Sequence, residues 1–309
     1  MGELSAPWVG VFSALTTKFQ VDGSLDLSAT ERHIAWQISS GINGVIVLGS
    51  LGENGSLEPE EKRTIVQMAA GVARGRVPVL AGIAETTTAR ACRSASDAAR
   101  SCADGLMILP PMRYICDRRE TIAHFREVAA ATHLPIMLYN NPVAYGTDIT
   151  PEIFAELADE PKFVALKESS DNVRRITDIR NLVGDRYKIF AGVDDLALES
   201  FILGAAGWVA GLVCAFPRET VALYTLATSG RIEEARALYR WFMPLLHLDV
   251  STKFVQYIKL AEAIAGVGTE HVRAPRLPLA GEERRRIEEI IRSALAGRPQ
   301  LSDIGVTGR

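Results

Sequence analysis

Residues 163–169 read Phe-Val-Ala-Leu-Lys-Glu-Ser, four apolar residues followed by three polar ones. A short apolar run that is bounded by polar residues is typical of a buried β-strand. Lys167 therefore lies at the carboxyl end of a predicted strand, where the buried interior meets an opening. Burial disfavours the ammonium form, so the nucleophilic free amine becomes available near neutral pH. The alternative is a strand-end lysine whose ammonium extends into solvent.

Similar apolar runs recur along the chain and alternate with longer amphipathic stretches. The predicted strands are Val9–Leu15, Gly44–Leu48, Val77–Gly82, Gly105–Leu109, Pro135–Tyr139, Phe163–Lys167, Tyr187–Ala191 and Gly207–Gly211. Eight strand–helix units over about 230 residues predict an α/β fold, a (β/α)8 TIM barrel. A doubly wound open sheet is the alternative, but the first strand is not followed by GxGxxG and no P-loop sequence occurs.

The strand pattern stops at Arg231. Three helices are predicted beyond it, over Arg231–Trp241, Thr252–Ala265 and Glu282–Ala296. We therefore expect a barrel over residues 1–230, a C-terminal helical appendage over 231–297 and a flexible tail over 298–309.

Composition excludes several classes of function. The chain has 309 residues, 48% hydrophobic and 23% charged, with a net charge of −3, which gives no electrostatic footprint for nucleic acid. No run approaches the ~18–20 apolar residues of a membrane helix, and Met1–Val9 lacks the pattern of a signal peptide. The four cysteines are scattered without CxxC spacing, which favours free thiols in the cytoplasm and gives no support for a metal site. They are Cys92, Cys102, Cys116 and Cys214.

Polar residues follow several of the predicted strands. In a (β/α)8 barrel the reacting groups gather at the carboxyl ends of the strands. Strand two is followed by Gly-Ser-Leu-Gly-Glu-Asn (49–54), strand five ends in Tyr-Asn-Asn-Pro (139–142), and strand seven leads into Gly-Val-Asp-Asp (192–195). Lys167, Tyr139 and Ser50 are thus predicted to converge on one mouth of the barrel.

An amine, a phenol and a hydroxyl form a coherent set for Schiff-base chemistry. The amine of Lys167 attacks a carbonyl or imine carbon and forms an iminium that acts as an electron sink. A phenol such as Tyr139 can move the protons that this chemistry requires. The turn Ser50–Gly52 offers a hydroxyl and successive backbone N–H groups to a substrate carboxylate.

Each of these residues also has a simpler interpretation. Tyr139 alone is most often a strand-end aromatic, and Ser50 alone is most often a turn residue. Glu53 is expected to cap or pack beneath a site rather than to react. Asp194 and Asp195 are most simply a pair that caps the following helix. Only the convergence on one face supports the chemical hypothesis.

At these blocks the chain resembles the dihydrodipicolinate synthase / N-acetylneuraminate lyase family of class I Schiff-base enzymes, over residues 8–300. The resemblance implies that Lys167 is the Schiff-base lysine and Tyr139 the proton-transferring tyrosine. Substrate would be bound by Ser50, Leu51, Gly52, Gly192 and Val193. The resemblance also implies a homotetramer that needs no metal or organic cofactor.

The chain departs from that family at several positions. A second hydroxyl residue in the turn is replaced by Leu51. The tyrosine that reaches in from a neighbouring subunit of the synthase is replaced by Met112, although Tyr114 lies nearby. The arginine that follows strand five in the synthase falls at Ala144, so a bidentate carboxylate clamp is missing. The serine that binds polyol in the lyase appears as Gly211.

Three segments resemble the Δ1-pyrroline-4-hydroxy-2-carboxylate deaminases of hydroxyproline breakdown. They are residues 49–54, residues 139–146 and Arg-Ala-Pro-Arg-Leu-Pro at 273–278. This resemblance implies release of ammonia and 2,5-dioxopentanoate, with Tyr139 removing a C3 proton relayed through Ser50. The alternatives are a pyruvate-dependent synthase or aldolase, a 2-keto-3-deoxy acid dehydratase, and a non-catalytic sensor on the same fold. Substrate choice is assigned to the loop residues Met112, Tyr114, Val143, Tyr145 and Gly211.

Overall fold

Eight parallel strands close into a barrel in which each strand pairs with its neighbours in the sequence and β8 pairs with β1. The computed structural model describes residues 8–304. The strands are β1 (Gly10–Ala14), β2 (Gly44–Val47), β3 (Val79–Ile83), β4 (Gly105–Ile108), β5 (Ile136–Asn140), β6 (Phe163–Glu168), β7 (Lys188–Ala191) and β8 (Gly207–Ala210). The predicted TIM barrel is confirmed and the open sheet is wrong.

Helices follow the strands around the outside of the barrel. They are α1 (Leu27–Ser39), α2 (Pro59–Ala73), α3 (Thr88–Arg100), α4 (Arg118–Ala130), α5 (Pro142–Tyr145), α6 (Pro151–Glu156), α7 (Arg174–Val183), α8 (Ala197–Ile202), α9 (Pro217–Thr228), α10 (Ile232–Leu246), α11 (Phe254–Ile264) and α12 (Gly281–Ala296). No helix within residues 8–304 is long and apolar enough to cross a membrane.

The barrel interior is filled by large side chains that pack against glycines on neighbouring strands. The rings of Phe12 and Phe190 meet edge to face, with centroids 5.1 Å apart. A Cβ at Gly44 would lie 2.5 Å from the Phe12 ring, and one at Gly207 would lie 2.4 Å from the Phe190 ring. Strands that are buried on both faces explain why the sequence shows continuous apolar runs instead of alternation.

The structure adds one helix that the sequence pattern did not predict. Helix α5 has four residues, too few for a helical period to be visible in the sequence. Helix α10 also runs five residues beyond the predicted end at Trp241 and includes Pro244 in its last turn. A proline there removes only one backbone hydrogen bond, and the helix ends two residues later.

The C-terminal helices pack onto the barrel. The hydroxyl of Tyr239 on α10 donates to the backbone oxygen of Asp195 at 2.5 Å, and Trp241 Nε1 donates to the oxygen of Ala294 on α12 at 3.0 Å. Leu301–Ile304 form a short 3₁₀ turn within the predicted tail, and residues 305–309 lie outside the described range. The division into domains at residue 230 stays a prediction.

Candidate active site

Lys167 and Tyr139 are direct neighbours in the sheet. Tyr139 on β5 is the register partner of Lys167 on β6, and adjacent parallel strands direct paired side chains to the same face. The amine nitrogen lies 4.3 Å from the centroid of the tyrosine ring. Both side chains are buried, with residue exposures of 7% and 6%. The strand pairing therefore places an amine and a phenol next to each other in the buried interior.

Burial lowers the pKa of Lys167, and the carboxyl groups of Asp249 and Asp194 and the phenol of Tyr145 act in the opposite direction. No carboxylate oxygen within residues 8–304 forms an ion pair with this amine. The amine instead lies over the aromatic face of Tyr139. An amine that is desolvated but not neutralised by an ion pair is prepared for nucleophilic attack.

The turn after β2 is held in an unusual backbone conformation. Leu48 and Glu53 both have positive φ angles, 62° and 57°, which non-glycine residues rarely adopt. Thr17 Oγ1 donates to the oxygen of Gly52 at 2.7 Å, and Asn54 Nδ2 donates to the oxygen of Leu48 at 2.8 Å. A Cβ at Gly52 would lie 3.0 Å from the backbone oxygen of Leu15, so this position favours glycine. Such strain persists only where the surroundings over-determine it.

This turn presents unsatisfied donors. Within the described part of the chain, the backbone N–H groups of Leu51 and Gly52 donate to no acceptor. Both residues are buried. Buried N–H groups are nearly always paired, so two successive free ones indicate a place for an anionic ligand group.

The hydroxyl of Ser50 forms a hydrogen bond with the hydroxyl of Tyr145, and no hydrogen bond joins Ser50 to Tyr139 among residues 8–304. The rings of Tyr139 and Tyr145 meet edge to face, with centroids 5.9 Å apart. Burial raises the pKa of Tyr145 and of Tyr139, so both phenols are protonated at neutral pH. A relay from Tyr139 to Ser50 would therefore pass through Tyr145.

Two asparagines position Tyr145. Asn141 Oδ1 accepts from the N–H of Ala144 at 2.9 Å and caps α5, while its Nδ2 donates to the Tyr139 hydroxyl at 3.2 Å. Asn140 Oδ1 accepts from the N–H of Ile149 at 2.8 Å and closes the loop. The segment Asn-Asn-Pro thus serves to fold the loop that carries the second tyrosine.

Asp194 binds the end of β8 instead of capping a helix. Its carboxylate accepts from Trp208 Nε1 at 2.9 Å, from the N–H of Gly211 at 3.1 Å and from the N–H of Leu212 at 2.8 Å. Burial raises its pKa to about 6. The side chain of Asp195 meets His247 Nδ1 at 2.8 Å. The expectation that this pair caps the following helix is wrong, because both carboxylates reach tertiary partners.

Gly192 and Val193 lie beside the lysine. The N–H of Gly192 donates to the oxygen of Glu168 at 2.9 Å. A Cβ at Gly192 would lie 2.8 Å from Lys167 Cγ, so the glycine leaves room for the lysine stem. Their contact with substrate stays a prediction.

Glu53 lies beneath the turn. Its carboxylate forms a fully buried ion pair with Lys259 Nζ at 2.6 Å and accepts from the N–H of Arg273 at 3.1 Å. Since both oxygens are engaged, the packing interpretation of this residue fits its surroundings.

The structure does not bring every predicted loop residue to the mouth. Tyr114 is 58% exposed and donates to Glu120 at 3.0 Å on the surface. Val143 is 68% exposed, and Ala144 is exposed as well. Met112 is half-buried against the core.

One group of side chains has the composition of a metal site. The ligand atoms of His33, Cys214 and Glu262 lie within 4.8 Å of one another. However, Lys18 Nζ lies 2.5 Å from Glu262 Oε2, and Thr16 donates to the other oxygen at 2.6 Å. The lysine ammonium already supplies the positive charge that a cation would bring to this carboxylate.

Sequence reasoning missed Asp249. It lies in the connection between α10 and α11, and its carboxylate faces Gly211 at the end of β8: a Cβ at Gly211 would lie 2.3 Å from Asp249 Oδ1. No period or motif marks this short connection, so the sequence carried no signal for it.

The geometry places an amine, two phenols, a serine and free N–H groups at the carboxyl ends of the strands of a TIM barrel. In addition, the sequence matches the Dihydrodipicolinate synthetase family over residues 7–294. The chain belongs to this family. It is therefore a Schiff-base-forming enzyme of the class I aldolase type, and such enzymes act on small keto acids.

Two relatives illustrate the degree of similarity within the dihydrodipicolinate synthetase family. The 4-hydroxy-tetrahydrodipicolinate synthase of Methanothrix thermoacetophila is 31% identical over 283 residues, which are 91% of this chain and 95% of that protein. The enzyme of the same name from Exiguobacterium sibiricum is 35% identical over 270 residues, which are 87% and 91% of the two chains.

Solved structures of the family superimpose closely. Dihydrodipicolinate synthase from Aquifex aeolicus has a TM-score of 0.88 at 27% identity and covers 93% of this chain and 98% of its own. The 4-hydroxy-tetrahydrodipicolinate synthase of Methylacidiphilum fumariolicum SolV has a TM-score of 0.87 at 29% identity, over 94% and 98%. The names of these relatives agree with the synthase alternative and leave the deaminase interpretation as a proposal.

Proposed function

We propose that this family member is a Δ1-pyrroline-4-hydroxy-2-carboxylate deaminase. The observation that carries the proposal is the charge distribution of the mouth. One carboxylate-binding nest lies on the β2 side, at Leu51 and Gly52, whereas the β8 side carries the carboxyl groups of Asp194 and Asp249. Position 144 is an exposed alanine, so no arginine clamp follows β5. A wall of carboxyl groups offers hydrogen bonds to a hydroxyl or an ammonium group, and it offers no cation to a second carboxylate.

The first step is attack by the lysine. The substrate carboxylate lies on the N–H groups of Leu51 and Gly52, and the amine of Lys167 adds to the C2 imine carbon. Transfer of the C2 bond from the ring nitrogen to the lysine nitrogen opens the ring. The ring nitrogen leaves as an amine on C5 and becomes an ammonium next to the acidic wall.

The second step is elimination. Tyr139 removes a C3 proton, and the electrons form an enamine with the lysine nitrogen. The proton moves on toward Tyr145 and Ser50, which are joined by a hydrogen bond. The enamine then expels the C4 hydroxyl as water.

The last step releases products. Proton transfers move the double bond to C5 and its nitrogen, and water hydrolyses that imine to an aldehyde with loss of ammonia. A second water hydrolyses the lysine iminium at C2. One water is lost and two are consumed, so the net reaction takes up one water and gives 2,5-dioxopentanoate and ammonia.

The alternative function is that of a 4-hydroxy-tetrahydrodipicolinate synthase, in which the lysine binds pyruvate. The names of the relatives favour it, and the same lysine and tyrosine would serve. The β8 wall argues against it, since the second substrate of a synthase that joins pyruvate to a semialdehyde brings its own carboxylate and this wall offers no cation to bind it.

The deciding experiment measures ammonia release from Δ1-pyrroline-4-hydroxy-2-carboxylate by the wild type and by Lys167→Ala. We expect release by the wild type and none by the variant. Consumption of pyruvate with aspartate semialdehyde, measured in parallel, tests the synthase. Wild-type protein that consumes pyruvate and releases no ammonia would replace the deaminase proposal with the synthase.

A homotetramer, which the family resemblance implies, stays a prediction for this chain. Sedimentation equilibrium of the purified protein tests it directly, and a monomer would contradict it.

A further inference from the structure

Asp249 reaches the mouth of the barrel from outside the barrel. It follows α10, and its backbone N–H donates to the oxygen of Leu246 at 3.0 Å, which closes the end of that helix. A Cβ at Gly211 would lie 2.3 Å from Asp249 Oδ1 and 3.0 Å from its Cγ. The carboxyl group therefore lies directly against the end of β8, where the absence of a side chain at Gly211 makes room for it.

The carboxyl group of Asp249 has no hydrogen-bond or ion-pair partner among residues 8–304, although the residue is half-buried. Its neighbour Asp194 is different, because Trp208, Gly211 and Leu212 satisfy that carboxylate. A half-buried carboxyl group without a protein partner is free to form hydrogen bonds with a ligand. Of the two acids on this wall, Asp249 is the one with free hydrogen-bonding capacity.

Asp249 lies close enough to the reacting groups to act on them electrostatically. Among charged groups, it exerts the largest effect on Lys167, and it also acts on Tyr139. Burial and the neighbouring Asp194 raise the pKa of Asp249 well above its ordinary range. The carboxyl group thus keeps its proton to a higher pH than an ordinary aspartic acid does.

We propose that Asp249 is a further catalytic residue, which donates a hydrogen bond to the C4 hydroxyl of the lysine-bound substrate and protonates it as the C4–O bond breaks. This role rests on the proposed deaminase function. The lysine nitrogen pushes its electron pair to re-form the C2 iminium, and the C2–C3 pair becomes a C3–C4 double bond. The C4–O pair leaves with the oxygen, which takes the Asp249 proton and departs as water. Solvent later returns a proton to the carboxylate.

The test separates steps before elimination from elimination itself. Asp249→Asn keeps the shape of the side chain and removes the acid. Two early readouts are borohydride trapping of substrate on Lys167 and exchange of C3 hydrogens in D₂O. We expect both to stay within about threefold of wild type, while ammonia release falls by about 10²–10⁴, the range for loss of a general acid.

Two further variants control for structure. Asp195→Asn makes the same chemical change on a nearby half-buried acid, whose partner is the exposed His247. It should release ammonia at a rate within about twofold of wild type, because His247 is not one of the reacting groups. Gly211→Ala displaces the Asp249 carboxyl group without removing it and should lower ammonia release selectively. The double variant with Asp249→Asn should release ammonia no more slowly than Asp249→Asn alone, since both substitutions act on one carboxyl group.

Each outcome has a distinct meaning. If Asp249→Asn released ammonia within a few-fold of wild type, the acid role would be wrong and the deaminase would stand. Trapping and ammonia release that fall in parallel would make Asp249 a counter-ion for Lys167 and overturn the acid role. Wild-type protein that releases no ammonia would overturn the deaminase and this role with it. If Asp249→Asn does not fold, Gly211→Ala carries the test with the same readouts.

Discussion

Lys167 and Lys259 are both buried lysines in which burial lowers the pKa, yet their surroundings differ. Lys259 lies in a paired cluster, which consists of Lys18, Glu53, Lys259 and Glu262. There each ammonium has its own carboxylate, at 2.5 Å for Lys18 and Glu262 and at 2.6 Å for Lys259 and Glu53. Lys167 at the mouth meets the ring of Tyr139 and no ion-pair partner among residues 8–304.

The difference shows how one chain uses the same residue type for two purposes. In the paired cluster the ion pair between Lys259 and Glu53 ties α11 to the turn after β2, because Glu53 belongs to that turn. At the mouth the chain leaves the amine unpaired and places hydrogen-bonding groups around it. Partner geometry, more than burial, separates a structural lysine from a reactive one.

The largest expected effect comes from removing the reactive amine. Lys167→Ala should abolish turnover and borohydride trapping with substrate, because it removes the amine that forms the iminium. The variant should keep a wild-type melting temperature within a few degrees, since no ion pair is broken. Trapping is measured by intact-protein mass spectrometry. Adduct formation on Lys167→Ala would show that the reactive lysine lies elsewhere.

The next effect concerns the phenol beside the amine. Tyr139→Phe keeps the ring that contacts Lys167 and removes the hydroxyl, so it should slow turnover by about 10²–10⁴ while trapping persists. The measurement is kcat for ammonia release. Tyr187→Phe is a matched control, because its hydroxyl donates to the Phe154 oxygen far from the reacting groups. Equal kinetic losses in both variants would contradict a proton-transfer role for Tyr139.

Breaking the paired cluster should lower the stability of the fold and not the rate of the chemical steps. Lys259→Met removes the nearer of the two cations beside the buried Glu53 carboxylate, since Arg276 Nη1 lies 3.6 Å from its other oxygen. It should lower the free energy of unfolding by about 3 kcal/mol, the low end of the range for breaking a buried ion pair. Lys188→Met, on an exposed side chain at the start of β7, should change it by less than about 0.5 kcal/mol. Urea unfolding measures both. If Lys259→Met left the free energy of unfolding unchanged, the buried pair would contribute nothing to stability.

A smaller effect is expected for the second tyrosine. Tyr145→Phe removes the hydrogen bond to Ser50 and should lower kcat by about tenfold, the equivalent of about 1.4 kcal/mol for one hydrogen bond in a relay. Trapping on Lys167 should be unchanged. Ser50→Ala breaks the same bond, so the double variant should show little additional loss. Full additivity would contradict a shared relay.

The smallest effect is a shift along the pH axis. Burial lowers the pKa of Lys167, and only the free amine attacks, so the trapping rate should rise with pH and reach half its maximum below the ~10.4 of an ordinary lysine. Trapping rates between pH 6 and 10 test this. A midpoint at or above that of an ordinary lysine would contradict the effect of burial.

The fold was accessible from the sequence because a barrel is a repeated local pattern. Each predicted strand lies within two residues of an observed one, since a buried parallel strand must be apolar throughout and polar where it leaves the sheet. Lys167 and Tyr139 followed from the same rule, because each stands at a strand end. The short helix α5 was not predicted, since four residues do not complete a recognisable helical pattern.

Sequence alone thus determined the barrel, its strand order and the meeting of Lys167 with Tyr139, because strand register transmits local position directly into space. Tertiary structure alone decided that Ser50 meets Tyr145, that Asp194 binds the end of β8 and that Asp249 reaches the mouth. These contacts join segments distant in sequence through loops and connections without periodicity. Their geometry depends on how whole elements pack, and no local pattern of residues records that packing.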